Sequence, residues 1–398
     1  MDITVYPGKL KGTLKAIASK SQAHRLLICA AFSGSETTII CEETNRDIEA
    51  TVACLRGIGT IITRTVNGYQ VIPAKDFPSN AYLDCGESGS TLRFLLPIVC
   101  ALGIRTTFQL HGRLPYRPLT PLWEELERMG CHLTRPTETS IQAEGQLHAG
   151  VYHIAGNVSS QFISGLLFAL ALLEGQSEIC INGKLESAPY VFMTQEALRL
   201  FGVSSDHFCV GDAYPFKSPG QITVEGDWSN GAFFAAAKAL GHPLEIQNLN
   251  NISLQGDRQV ESILNIHSPM PTIPCGDIPD LVPILSVYFA AKGGAVFTNI
   301  ERLRIKESDR VEAIIKLLSA LGIHAESSET VLTVHGGQFH SGIVDACNDH
   351  RIAMSAAIAA TVADGPVTIL GAECVAKSYP AFWQEFQRLG GIYEQYIR

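Results

Sequence analysis

No apolar run in this 398-residue chain is long enough to cross a bilayer. The longest, Phe94–Ile104 and Phe162–Leu173, fall short of the roughly 20 residues a spanning helix needs. Charged residues make up only 17%, and 30 Lys and Arg against 39 Asp and Glu leave a net charge of −9 with no long block of either sign. That balance excludes a general nucleic-acid binder. Met1–Gly12 carries no apolar signal segment. The eleven cysteines never form Cys-x-x-Cys, and several sit in apolar runs such as Leu26–Phe32. Neither a zinc nor a disulfide framework is expected, and a cytoplasmic location is. Also missing are a Gly-x-Gly-x-x-Gly fingerprint after a strand, a Walker sequence and His-Glu-x-x-His; histidines such as His132 and His324 stand alone. What is present is 46% hydrophobic residues, ample for a large core, and a length suited to two or three domains.

Six stretches share one grammar of a polar start, an apolar helical run and a closing glycine. They are Ser19–Gly34, Ser88–Gly103, Ser159–Gly175, Ser229–Gly241, Pro279–Gly293 and Asp349–Gly365, with starts separated by 69, 71, 70, 50 and 70 residues. A Ser or Asp start suits an N-cap, and the glycine suits the position after a helix. A second helix follows in each (Asp47–Ile58, Pro118–Met129, Tyr190–Phe201, Asp257–Leu264, Glu307–Leu321, Tyr379–Leu389), and several units close with alternating strand-like runs. The pattern predicts an α/β chain of six β-α-β-α-β-β units packed three and three, the fourth shortened. The break is placed near Gly226, after Pro215–Gly220. If Met1–Tyr6 completes the last unit, the domains are 19–226 and 1–18 plus 227–398. The greasiest first helices belong at the centre of each cluster.

A helix N-terminus is an anion site by virtue of its unpaired N–H groups and dipole. The starts here add Lys20, Ser21 and Arg25; Gly89, Ser90 and Arg93; Ser159, Ser160 and Gln161; Asp280; and Asp349, His350 and Arg351. Lys20 and Arg351 in a first turn oppose the dipole, which points to an anionic ligand rather than capping. The run Lys306-Glu307-Ser308-Asp309-Arg310 reads as a helix entry with a carboxylate beside an anion clamp. Two such clusters facing each other would form a strongly anion-attracting site.

Eight motifs in order carry a resemblance: Ser19-Lys-Ser-Gln-Ala-His-Arg25, Gly86-Glu-Ser-Gly-Ser-Thr-Leu-Arg93, Arg117-Pro118, Ser159-Ser-Gln161, Ile278-Pro-Asp280, Lys306-Glu-Ser-Asp-Arg310, Asn348-Asp-His-Arg351 and Ala376-Lys-Ser-Tyr-Pro380. The sequence resembles the enolpyruvyl transferase family, on its 5-enolpyruvylshikimate-3-phosphate synthase side. The resemblance implies two domains of three such repeats joined by a double crossover. It also implies transfer of the enolpyruvyl group of phosphoenolpyruvate to the 5-hydroxyl of shikimate 3-phosphate by addition and elimination.

By resemblance, Lys20, Gly89, Arg117, Gln161, Arg310, Arg351 and Lys377 hold phosphoenolpyruvate. Lys20, Ser21, Arg25, Ser159, Ser160, Gln161, Ser187, Tyr190, Asp280 and Lys306 hold shikimate 3-phosphate. Asp280, Glu307 and Lys20 are the catalytic set: Asp280 takes the hydroxyl proton and Glu307 protonates the methylene carbon. No cofactor, metal, nucleic acid or membrane is implied, and a monomer is expected. Glu87 and Phe94 depart from the family's frequent Asn and Pro, and the room left by Gly89 implies sensitivity to glyphosate. The related transferase that uses UDP-N-acetylglucosamine as acceptor is the enzymatic alternative, and an inactive anion-binding relative the non-enzymatic one.

Overall fold

A computed structural model describes residues 1–211 and 216–396, so the marker Pro215–Gly220 begins outside the described residues. The chain divides into two compact units, Ala18–Glu225 and Met1–Ile17 with Gly226–Arg398.

The repeat is plainest in the second segment. Strand Asn80–Asp84 pairs parallel with Arg105–Gln109 on either side of helix Gly89–Ala101. Ser140–Gly145 then joins antiparallel and Cys131–Thr137 forms the edge. The sheet of Thr272–Pro274, Gly294–Thr298, Val331–His335 and Ala325–Ser327 has the same order. Three sheets borrow a strand from a distant part of the chain. Asp2–Tyr6 pairs antiparallel with both Val367–Leu370 and Ile392–Tyr396, so the first strand does complete the last repeat. Gln221–Thr223 supplies the parallel edge strand of the first repeat, beside Thr37–Ile40. The fourth repeat is short, as its spacing predicts: Leu244–Gln247 pairs with Gly12–Lys15 alone, and a turn of 3-10 helix leads into the brief helix Val260–Leu264.

The predicted first helices all form, and they are the buried ones. Gly89–Ala101 is buried except at Ser90 and Ser160–Leu170 except at Gln161, while Val282–Ala290 and His350–Thr361 are buried throughout. Their aliphatic and aromatic side chains anchor one core per unit. Capping is done by polar residues at the starts. Ser19, Ser88, Ser159 and Asp349 each accept a hydrogen bond from a first-turn backbone N–H. Two starts differ from the sequence reading. The fourth helix is capped by Asp227, two residues before Ser229. The fifth begins at Val282 with no side-chain cap, because Asp280 is engaged elsewhere. No described helix is long and apolar enough to cross a membrane.

The helices Gly89–Ala101 and Ser160–Leu170 touch backbone to backbone. Pro97 lacks the N–H that would serve the carbonyl of Arg93 four residues back, and Gly165 lies over that carbonyl. A Cβ on Gly165 would stand 2.1 Å from the Arg93 oxygen and 2.9 Å from Pro97 Cγ. Gly165→Ala is therefore expected to destabilise the protein by about 1–3 kcal/mol, the usual cost of overpacking. Thermal unfolding checks this, and an unchanged melting temperature would contradict the contact.

Candidate active site

In the unit Ala18–Glu225 the helix starts are tied to one another by side chains. Gln161 donates from Nε2 to Ser90 Oγ (2.9 Å) and accepts from Arg93 (3.4 Å). Arg93 also donates to the Pro118 carbonyl, next to Arg117. Gly89 leaves space for both guanidiniums: a Cβ there would lie 2.5 Å from Arg93 and 2.7 Å from Arg117. Lys20 pairs with Asp47 at 2.8 Å.

Arg25 is 2% exposed, and among the described residues its hydrogen bonds go to neutral groups. They are the Ser21 and Tyr190 carbonyls (2.6 and 2.7 Å), Thr194 Oγ1 (2.8 Å) and Ser164 Oγ (3.5 Å). Burial lowers its pKa to about 10, and its ring partner is Phe94, 5.1 Å away. Ser160 and Ser187 are buried, and Ser187 holds a left-handed backbone (φ 54°) at the start of helix Ala188–Leu200. A non-glycine residue there is strained, a cost that proteins often carry at functional sites. Lys20, Arg25 and Arg93 thus stand in or beside the first turns of helices in this unit, with Lys20 on Asp47 and Arg93 beside Gly89 and Gln161. A buried line of side chains runs behind them: His24 Nδ1 to Thr51 (2.7 Å), Thr51 to Thr91 (2.7 Å), and Thr91 to Ser88 (2.7 Å). Burial, helped by Lys20 and Arg25, drives the His24 pKa far below its ordinary value, so this imidazole is neutral.

The second unit gathers carboxylates around a buried cation. Arg310, 1% exposed, binds three carboxylates: Asp349 through Nε (2.8 Å), Asp280 through NH1 (2.6 Å) and Glu307 through NH2 (2.7 Å). Arg351 holds the other oxygen of Asp280 at 2.8 Å. Burial alone would raise the Asp280 pKa, but Arg351, Arg310 and Lys306 outweigh it and hold the carboxyl well below the usual range. Asp349 is also the helix cap and receives Ser308 Oγ (3.0 Å). Lys377 Nζ donates to the Asn348 carbonyl (2.6 Å), which is presented by consecutive left-handed residues, Cys347 and Asn348.

Lys306 makes no hydrogen bond or ion pair among the described residues. Its burial, reinforced by Arg302 and Arg310 and only partly offset by Asp280, lowers its pKa to about 7. Three carboxylates, Asp280, Glu307 and Asp349, sit among the cations of this cluster. The helix entry is corrected: the helix starts at Arg310 with Asp309 as cap, leaving Lys306, Glu307 and Ser308 outside it.

A family model described as EPSP synthase (3-phosphoshikimate 1-carboxyvinyltransferase) matches residues 5–272 and 267–386. The chain belongs to the EPSP synthase family. It is 37% identical over 425 residues to the 3-phosphoshikimate 1-carboxyvinyltransferase of Clostridium botulinum strain Eklund 17B, covering 98% of each chain. Identity to the enzyme of the same name from Clostridium acetobutylicum is 38% over 417 residues, covering 98% of this chain and 97% of the relative. The fold is that of the EPSP synthase from Acinetobacter baumannii (TM-score 0.80, 24% identity, 99% and 100% of the two chains). It is also that of the enolpyruvyl transferase NikO from Streptomyces tendae (TM-score 0.73, 15% identity, 99% and 98%).

One buried group of this EPSP synthase family member escapes the sequence reading. Asp257, fully buried in the short fourth repeat, is hydrogen-bonded by Ser229. Burial first and the Asp280 charge second, with Arg351 opposing, raise its pKa to about 7. A raised carboxyl favours folding while it is protonated, and that contribution fades as pH climbs from about 4 through 7. The Asp257→Asn variant removes the ionisation. Its melting temperature relative to wild type should therefore be higher at pH 8 than at pH 5, by about 2 °C or more. An offset that stays constant with pH would show that Asp257 does not titrate this way.

Proposed function

We infer that this protein transfers the enolpyruvyl group of phosphoenolpyruvate to the 5-hydroxyl of shikimate 3-phosphate and releases phosphate. It acts in the shikimate pathway toward aromatic amino acids. The observation that carries the mechanism is the pair Asp280 and Glu307, held on different nitrogens of one buried guanidinium. Asp280, kept ionised by Arg310 and Arg351, takes the proton of the 5-hydroxyl as that oxygen bonds to C2 of phosphoenolpyruvate. Glu307 in its acid form gives a proton to the methylene carbon, which leaves a tetrahedral adduct. Loss of a proton from that carbon back to Glu307 then expels phosphate and restores the alkene. Each step is general acid or base work, worth about 10²- to 10⁴-fold per group.

The substrates bring two phosphates and two carboxylates, and the remaining residues offset that charge. Lys20, Gly89, Arg117, Gln161, Arg310, Arg351 and Lys377 serve phosphoenolpyruvate. Lys20, Ser21, Arg25, Ser159, Ser160, Gln161, Ser187, Tyr190 and Lys306 serve shikimate 3-phosphate. Arg25 supports the reading: a guanidinium buried with neutral partners lacks the counter-charge that an anionic substrate supplies. Of the five N–H groups of Arg310, three are used on carboxylates, leaving two for a substrate anion. We further place the enzyme in the cytoplasm as a monomer; eleven free thiols support the location.

Phosphate release from phosphoenolpyruvate is expected only when shikimate 3-phosphate is present, with glyphosate competing against phosphoenolpyruvate. Asp280→Asn and Glu307→Gln should each lower kcat by about 10²-fold or more. Release driven by UDP-N-acetylglucosamine instead, or full activity in both variants, would refute the assignment.

The lowered pKa of Lys306 has a signed consequence. The lysine is charged below about 7 and loses its proton above, so its attraction for an anionic substrate is present at low pH and lost as pH rises. In wild type kcat/KM should fall as pH rises through about 7, because that ratio reports the free enzyme. Lys306→Gln should start lower and lack that fall. A fall of equal size in the variant would assign it to another group.

A further inference from the structure

We propose that the edge hairpin of the fifth repeat is a binding site for a divalent transition-metal ion of the zinc class, with His324, Glu326 and His335 as ligands. The pairing register opposes Glu326 to Thr333 and Ala325 to Val334, which brings His324 opposite His335. The His335 amide donates to the His324 carbonyl at 3.0 Å. Side chains alternate along a strand, so His324 and Glu326, two residues apart, share a face. The two imidazoles lie 4.9 Å apart, centroid to centroid, with planes 30° apart. The ligand atoms of all three side chains fall within 4.8 Å of one another. Metal–ligand bonds of about 2.0–2.2 Å put two ligand atoms no more than ~4 Å apart. Small rotations of His324 and Glu326, both exposed, therefore close the set around an ion.

Nothing else claims these groups. Among the described residues neither imidazole is hydrogen-bonded, the Glu326 carboxylate has no cationic partner, and His335 Nε2 is buried without a hydrogen bond. Two cross-strand imidazoles left uncommitted bind a metal without first breaking another contact. Imidazole with one carboxylate selects zinc, nickel or copper over magnesium and calcium, which prefer sets of oxygen ligands. Three protein ligands leave a further position for water. The ion would tie the three-residue edge strand Ala325–Ser327 to Val331–His335.

The test uses the full-length protein, stripped with chelator and titrated with zinc chloride by calorimetry; cobalt(II) absorption reports the ligand geometry. One equivalent of zinc is expected to bind, with a rise in melting temperature, while magnesium gives neither. His324→Gln and Glu326→Gln, at exposed positions, should fold normally and each weaken zinc binding by about tenfold or more, the scale on which even outer-sphere partners matter. Their combination should abolish the cobalt spectrum. Absence of zinc binding would overturn the proposal. So would undiminished binding in the double variant, which would assign the ion to thiols such as exposed Cys209.

Discussion

One buried guanidinium organises the chemistry of the second unit. Arg310 is a permanent cation removed from water, and such a charge is tolerable only where its N–H groups meet acceptors of opposite charge. Asp280, Glu307 and Asp349 supply them from three places in the chain. Removing any one leaves a desolvated charge short of a partner, so the three carboxylates hold one another in place. Asp280 and Glu307 acquire by this a fixed spacing on a rigid fork, while Asp349 anchors the fork to the start of helix His350–Thr361. The bidentate geometry of arginine is what makes this possible; a lysine at 310 would offer a point charge with no fixed directions.

The first unit solves a different problem with the same parts. Neutral groups orient its guanidiniums: carbonyls and hydroxyls around Arg25, and the Gln161 amide and Pro118 carbonyl beside Arg93. Hydrogen bonding to neutral acceptors orients a guanidinium without cancelling its charge, which keeps the attraction for an anion. The line from neutral His24 through Thr51 and Thr91 to Ser88 joins two helix starts without adding charge beside them.

The repeat was legible because each helix is written with its own boundaries. A capping Ser or Asp, an uninterrupted apolar run and a glycine are local signals, and local physics obeys them in most repeats. The sequence leaves open whether Met1–Tyr6 completes the last repeat, and its pairing with Val367–Leu370 and Ile392–Tyr396 shows that it does. Local signals failed where a side chain had a better use than capping. Asp280 looks like a helix start but its carboxylate serves two arginines, and Ser229 looks like a cap but bonds to Asp257. In Lys306–Arg310 three polar residues compete for the cap, and only tertiary contact of Glu307 and Ser308 with Arg310 and Asp349 leaves it to Asp309.

The sequence by itself determined the six-fold repeat, which helices are buried, and which residue types stand at their starts, since these follow from periodicity and capping within a few turns of chain. Tertiary structure alone decided the charge balance. Whether a given Arg meets a carboxylate or a carbonyl depends on neighbours tens to hundreds of residues away, as with Arg310 and Asp280 or Arg25 and Thr194. It likewise decided that Asp257 is buried beside like charge and that two isolated histidines face each other across a hairpin. Coulomb energy depends on separation in space, and separation in space is what a linear sequence does not carry.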